Sequence, residues 1–188
     1  MVAGNLQAQV NITNLRCEML ENPLGIDEKK PRLSWQLNSD QRNVQQTAYH
    51  IIVSSSKEKL EKNEADVWNP GKINSSQSVH ISYAGKVLSS RAQYCWKVKV
   101  YSNKGESAWS EPAYWSMGLL NGSDWKAKWI GYDKASSWDS ITQWSRLSAR
   151  YFRKEFQSLS HIKRATVYIV GLGLYELYLN GKKIGNQV

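Results

Sequence analysis

The residues here that could do chemistry are carboxylates, imidazoles, thiols and one glycine-rich stretch. The sixteen Asp and Glu residues fall mostly in turns or on polar strand faces. Asp27-Glu28 beside Lys29-Lys30 is the closest acidic pair, and a solvated loop accounts for it. Glu176 sits among aromatic residues; packing or a structural hydrogen bond is preferred to a role as a catalytic acid. His50, His80 and His161 are far apart in sequence, with no serine or cysteine nucleophile pattern beside them. Cys17 and Cys95 are too few for a disulfide scaffold and have no Cys or His at metal-ligand spacing. Cys17 alternates with Leu15 and Met19 and should face a core, while Cys95 falls on the opposite face of its strand from the apolar set. Two free thiols, no metal, no cofactor and no catalytic residue are expected.

The stretch "GLGLYELYLNGKKIG", Gly171 to Gly185, allows a phosphate-binding loop or a β-hairpin. A dinucleotide loop needs a third glycine where Glu176 stands, and a helix after it. Instead Tyr175, Leu177 and Leu179 alternate with Leu174, Glu176 and Tyr178. Asn180-Gly181 then fits a type I′ turn, whose two central residues need positive φ. The hairpin is the reading.

Nine Trp and ten Tyr stand against two Phe, a set that suits sheets and also surfaces that grip sugars. Trp138 and Trp144, in the polar "SSWDSITQWSR", are the candidate substrate-binding residues: an indole can stack on a pyranose with Asp or Arg at its side. The competing reading, which is preferred, has both rings covering the edge of an incomplete sandwich or packing on a neighbouring domain.

These side chains must be positioned by strands. "RLSWQL" alternates Leu33, Trp35 and Leu37 with polar residues. "TAYHIIVSS" puts Tyr49, Ile51 and Val53 on one face. "QYCWKVKVYS" does the same with Tyr94, Trp96, Val98 and Val100, and turns Lys97 and Lys99 to a solvated face. Turn signals separate the runs at Asn69-Pro70-Gly71, Ala84-Gly85-Lys86 and Asn103-Lys104-Gly105. Only residues 56–68 suit a helical turn or two. The fold class is all-β: an antiparallel sandwich over 10–118, then a linker at 118–124 and an incomplete second sandwich over 119–188. In that second part "ARYFRKEF", "ATVYIVGL" and "LYELYL" read as strands.

The net charge is +9, but signs interleave, as in Lys57-Glu58-Lys59, and no nucleic-acid-binding motif accompanies them, so nucleic acid is excluded as a partner. No apolar run approaches the roughly 20 residues that span a bilayer. "LQA" before Gln9 is like the end of a signal peptide, and export to the periplasm or beyond is the expectation.

"LSSRAQYCWKVKVYSNKGESAWSEPAYW" resembles the last strands of a fibronectin type III domain. Leu88 precedes Tyr94 by six residues, Gly105 marks a turn, and Trp109-Ser110-Glu111-Pro112 opens the final strand. In that family the Tyr ring joins the core while its hydroxyl bonds the backbone upstream. "ARYFRKEF … IKRATVYIVGLGLYELYLNGKKIG" resembles the β-sandwich that precedes the catalytic barrel in bacterial α-L-rhamnosidases, glycoside hydrolase family seventy-eight. "LRCEMLENPLGIDEKKPRLSWQL" and "DWKAKWIG" fit the same family's first module and its junction.

The resemblance implies a non-catalytic fragment of an enzyme that hydrolyses terminal α-L-rhamnose with inversion. That chemistry needs an acid and a base about 6.5–9.5 Å apart, and the family carries them in an (α/α)6 barrel, the partner this chain would brace. A free-standing carbohydrate-binding or adhesion module, and an adaptor binding protein through a sheet edge, stay open as alternatives. The incomplete second sandwich is also expected to expose an edge for self-association.

Overall fold

The computed structural model describes residues 10–139, 147–158, 161–162 and 164–185. They divide into two units, one ending at Lys128 and one starting at Trp129.

In chain order the first unit runs β1 (Val10–Cys17), β2 (Arg32–Ser39), β3 (Gln46–Ser54), helix α1 (Lys57–Glu61), β4 (Lys72–Asn74), β5 (Ile81–Ser82), β6 (Gln93–Ser102), β7 (Gly105–Glu106) and β8 (Ala113–Ser116). One sheet has the order β1-β2-β5 and the other β4-β3-β6-β7, with β8 also pairing with β6. The alternating residues meet between them. Leu33 and Trp35 from one sheet pack with Tyr49, Ile51, Val53, Trp96, Val98, Val100 and Trp115 from the other. Trp35 meets Tyr49 edge-on at 5.2 Å, an arrangement that suits the ring quadrupoles. Its indole N–H donates to Gln46 Oε1 at 3.0 Å, and the Gln46 amide donates onward to the carbonyls of Ser75 and Gln77. A buried polar ring edge is thereby satisfied.

Tyr94 behaves as the alternation and the Leu88 spacing predict. Its ring is buried in the core, and its hydroxyl accepts the Ser89 backbone N–H at 3.0 Å. The Trp109-Ser110-Glu111-Pro112 motif also gains a physical account. β7 stops at Glu106 and β8 starts at Ala113, both against β6. Between them the Ser107 and Ser110 hydroxyls accept the N–H groups of Val100 and Val98. Side chains thus supply acceptors where the strand is interrupted.

Helix α1 is capped by Ser56, whose hydroxyl accepts the Lys59 N–H. It is short, and Leu60 is its buried residue. Leu60 covers Ile52 and Cys95 on the outer face of the β3–β6 sheet. Cys95 therefore points away from the main core, yet it is not in solvent, because the helix closes over it. Lys97 also departs from its expected solvated place: it is 9% exposed, its stem lying on the same covered face with the ammonium 5.3 Å from the Trp109 ring. Residues 118–124, read from sequence as a linker, are tied to this unit. The Gly118 N–H donates to Ile26 O, Leu120 packs on the core, and Asp124 accepts from Ser90.

In the second unit β9 (Leu177–Leu179) pairs antiparallel with β10 (Lys182–Ile184). Asn180 and Gly181 lie between them at φ 49° and 77°, the left-handed pair that a type I′ turn requires. The two other expected strands are corrected: the residues of "ARYFRKEF" and "ATVYIVGL" form no strand. Apolar alternation makes a strand only where a neighbouring strand and a covering layer exist. Here Tyr151, Phe156, Val167 and Leu172 remain exposed.

Candidate functional site

Strand register, loop staples and carboxylate environments decide what these surfaces can do. The carboxylates come first. A general acid needs its pKa raised toward neutrality. Every carboxyl group among the described residues with a displaced pKa is displaced downward: Glu18, Glu58, Asp66, Asp124, Asp139 and Glu176. Each is engaged. Glu176, on the hairpin, is held low first by the hydrogen bond from Lys183 and then by the Tyr178 hydroxyl at 2.8 Å. Asp66 is pushed up by partial burial, but Lys59 and both donors of Ser55 outweigh that. These groups act as structural hydrogen-bond acceptors. Among the described residues no group of three His, Cys, Asp or Glu side chains could hold a metal ion.

Asp139 organises the loop that carries Trp138. Its side chain is 2% exposed. The Ser148 hydroxyl, the backbone N–H groups of Ser136 and Ser148, and Arg150 all donate to it. Those bonds, the Ser148 hydroxyl first, hold its carboxyl well below the usual range. Arg150 also donates to the carbonyls of Tyr132 and Lys134 and lies 5.7 Å from the Tyr132 ring. The neighbouring Trp138 is 76% exposed as a residue, and its indole N–H donates to Ser148 at 3.1 Å. An indole fixed by its edge with its face open can stack on an apolar ring. Trp144, the second predicted substrate-binding residue, lies outside the described residues.

The first unit carries a cleft of about 710 Å³ whose lining includes Lys29, Lys30, Lys86, Leu120, Asn121 and Asp124. Its acid is occupied: Asp124 accepts from Ser90 and from both donors of Asn121.

The outer face of the larger sheet holds a further arrangement. His50 of β3 pairs in register with Lys72 of β4 on one side and with Lys99 of β6 on the other. Directly paired residues share a face, so the three form one row. The Lys72 ammonium stands 4.0 Å from the Tyr101 ring centroid, and Lys99 forms an ion pair with Glu106 at 3.2 Å. His50 lies 2.7 Å from Asn69 Oδ1 and 5.2 Å from the Trp109 ring. Sequence reasoning missed this row. Lys97 and Lys99 were visible on one strand, but Lys72 and His50 join them only through pairing across the sheet.

Against known proteins, the family model for the Rha78A-like N-terminal immunoglobulin domain matches residues 12–121. The model for the α-L-rhamnosidase N-terminal domain matches residues 160–188. An α-L-rhamnosidase from Formosa agariphila is 38% identical over 198 residues, covering 97% of this chain and 21% of that protein. The crystal structure of Streptomyces avermitilis α-L-rhamnosidase complexed with L-rhamnose aligns with a TM-score of 0.62 at 41% identity, over 65% of this chain and 12% of that one. The α-L-rhamnosidase structure from Dictyoglumus thermophilum gives 0.63 at 40% identity, over 70% of this chain and 15% of that one. This chain spans about a fifth of the length of the curated relatives it matches.

Proposed function

The chain belongs to the family of Rha78A-like N-terminal immunoglobulin domains, and from that premise we propose that it serves as a non-catalytic β-domain region of an α-L-rhamnosidase. The whole enzyme would hydrolyse terminal α-L-rhamnose from glycosides with inversion. Its acid and base would lie in an (α/α)6 barrel outside these residues, which brace that barrel and shape the rim of its active site. One observation carries the reading: two rhamnosidase-associated modules occur in order on this chain, at 12–121 and 160–188, and the α-L-rhamnosidase it matches along 97% of its length is about five times as long. The engagement of Glu18, Asp66, Asp124, Asp139 and Glu176 by neighbouring donors supports the non-catalytic part. The exposed apolar side chains of the second unit support packing against further polypeptide, or against a second copy through the hairpin edge. The same reading has the protein exported.

The test is to read the coding sequence past Val188 and to assay the chain on an aryl α-L-rhamnoside. Several hundred residues with helical periodicity, and no turnover by the 188-residue chain alone, are expected. Turnover by this chain, or a stop codon directly after Val188, overturns the proposal.

The exposed, edge-fixed Trp138 ring favours a second reading, a carbohydrate-binding module. Trp138→Ala should then abolish affinity for a rhamnose-bearing saccharide in a titration; unchanged affinity removes that role.

A further inference from the structure

On the outer face of the larger sheet the structure assigns a binding row, Lys72–His50–Lys99, for a saccharide that carries carboxylate groups along its chain. Two lysines flank one histidine across three strands, about 10 Å from end to end at two strand spacings. Glu106 answers Lys99. Among the described residues Lys72 has no ion pair, and its ammonium is held over Tyr101. Lys97, two residues along β6 on the same face, is buried with its ammonium held against Trp109, so it adds positive charge beneath the row without lining it. The aromatic rings fix the position of these ammonium groups, and fixed cations favour an anion that arrives with regular spacing.

The face discriminates between kinds of acidic partner. Protein interfaces centre on buried apolar anchors. None of the large exposed apolar residues among those described stands on β3, β4, β6, β7 or β8. What is offered is ammonium and imidazole beside the Tyr101 and Trp109 rings, which suits a ligand rich in carboxylate and hydroxyl groups. The inference stands apart from the rhamnosidase reading, since it concerns binding by this chain and no turnover enters its test.

The 188-residue chain is titrated calorimetrically at low salt with polygalacturonate, with neutral dextran and polyglutamate as comparators. Polygalacturonate is expected to bind, and the double variant Lys72→Gln/Lys99→Gln to weaken it by about tenfold. Lys29→Gln/Lys30→Gln, the same charge change on a loop, should leave it unchanged. A second measurement uses the unaltered protein: polygalacturonate should shield Lys72 and Lys99 from acylation, read by mass spectrometry, and leave Lys29 and Lys30 reactive. Absence of binding, equal losses in the two variants, or no selective shielding overturns the assignment. Equal affinity for dextran would mean that charge is not read; equal affinity for polyglutamate would make the partner an acidic protein. Either result also overturns it.

Discussion

The backbone N–H of Val98 donates to the hydroxyl of Ser110 at 3.1 Å. Ser110 sits in the gap between β7 and β8, and its own N–H donates back to Val98 O at 2.9 Å. Pro112, two residues on, has no N–H to offer. Ser110→Ala therefore leaves the Val98 donor buried without its acceptor, a loss of about 1–3 kcal/mol. The urea midpoint should fall with the slope unchanged. An unaltered midpoint would mean that another acceptor takes the hydroxyl's place.

Tyr94→Phe keeps the ring in the core and removes the acceptor of the Ser89 N–H. Because Ser89 is itself exposed, water can partly replace the bond. A smaller loss of about 1 kcal/mol is expected, again read from denaturant unfolding. Tyr94→Ala, which also empties the space beside Trp115, should cost several times more.

The two thiols should be inert in the folded protein. Burial, and then the charge of Glu18, push the Cys17 thiol up to about 12. Burial, and then Asp66, Glu58 and Glu61, push Cys95 up to about 11. Thiolate is the reacting species, so neither residue should react with an aromatic disulfide reagent at pH 8 until denaturant is added. Two thiols should then titrate. Rapid labelling of Cys95 in native buffer would show that α1 opens.

Glu18 links stability to pH. Its carboxylate accepts from the Arg32 side chain at 2.6 and 3.1 Å and from the Arg32 N–H at 2.6 Å. The Arg32 side-chain bond is the chief cause that holds its pKa below the ordinary value, partial burial acting the other way. The folded state thus binds this proton less readily than the unfolded chain does. The stabilisation is complete above the unfolded value near about 4.3 and is lost as pH falls through the lower folded value. Glu18→Gln should melt below the parent at pH 7, and the gap should close as both are acidified. A gap that widens in acid would refute the linkage.

How much could be read in advance follows from the range of each interaction. Tyr94 was legible because Leu88, the strand alternation and the glycine turn all lie within about twenty residues. The Asn180-Gly181 hairpin was legible because its turn chemistry is local. Cys95 and Lys97 were half legible: alternation showed which face they take, but not that α1 and Trp109 cover that face. The strands expected in "ARYFRKEF" and "ATVYIVGL" were misread because periodicity reports a capacity to pair and is silent on whether a partner strand is present.

Sequence by itself determined the class of fold, the inward set of Leu33, Trp35, Ile51, Trp96 and Val98, and the Asn180-Gly181 turn, since a two-residue period and a positive-φ pair act over a few bonds. Only the tertiary structure decided that Lys72, His50 and Lys99 stand in one row, that Ser110 completes β6, and that each displaced carboxyl is engaged. Those facts depend on register between segments 22 to 49 residues apart for the row and 12 for Ser110. Register is set by the packing of whole faces, and no local stretch of chain encodes it.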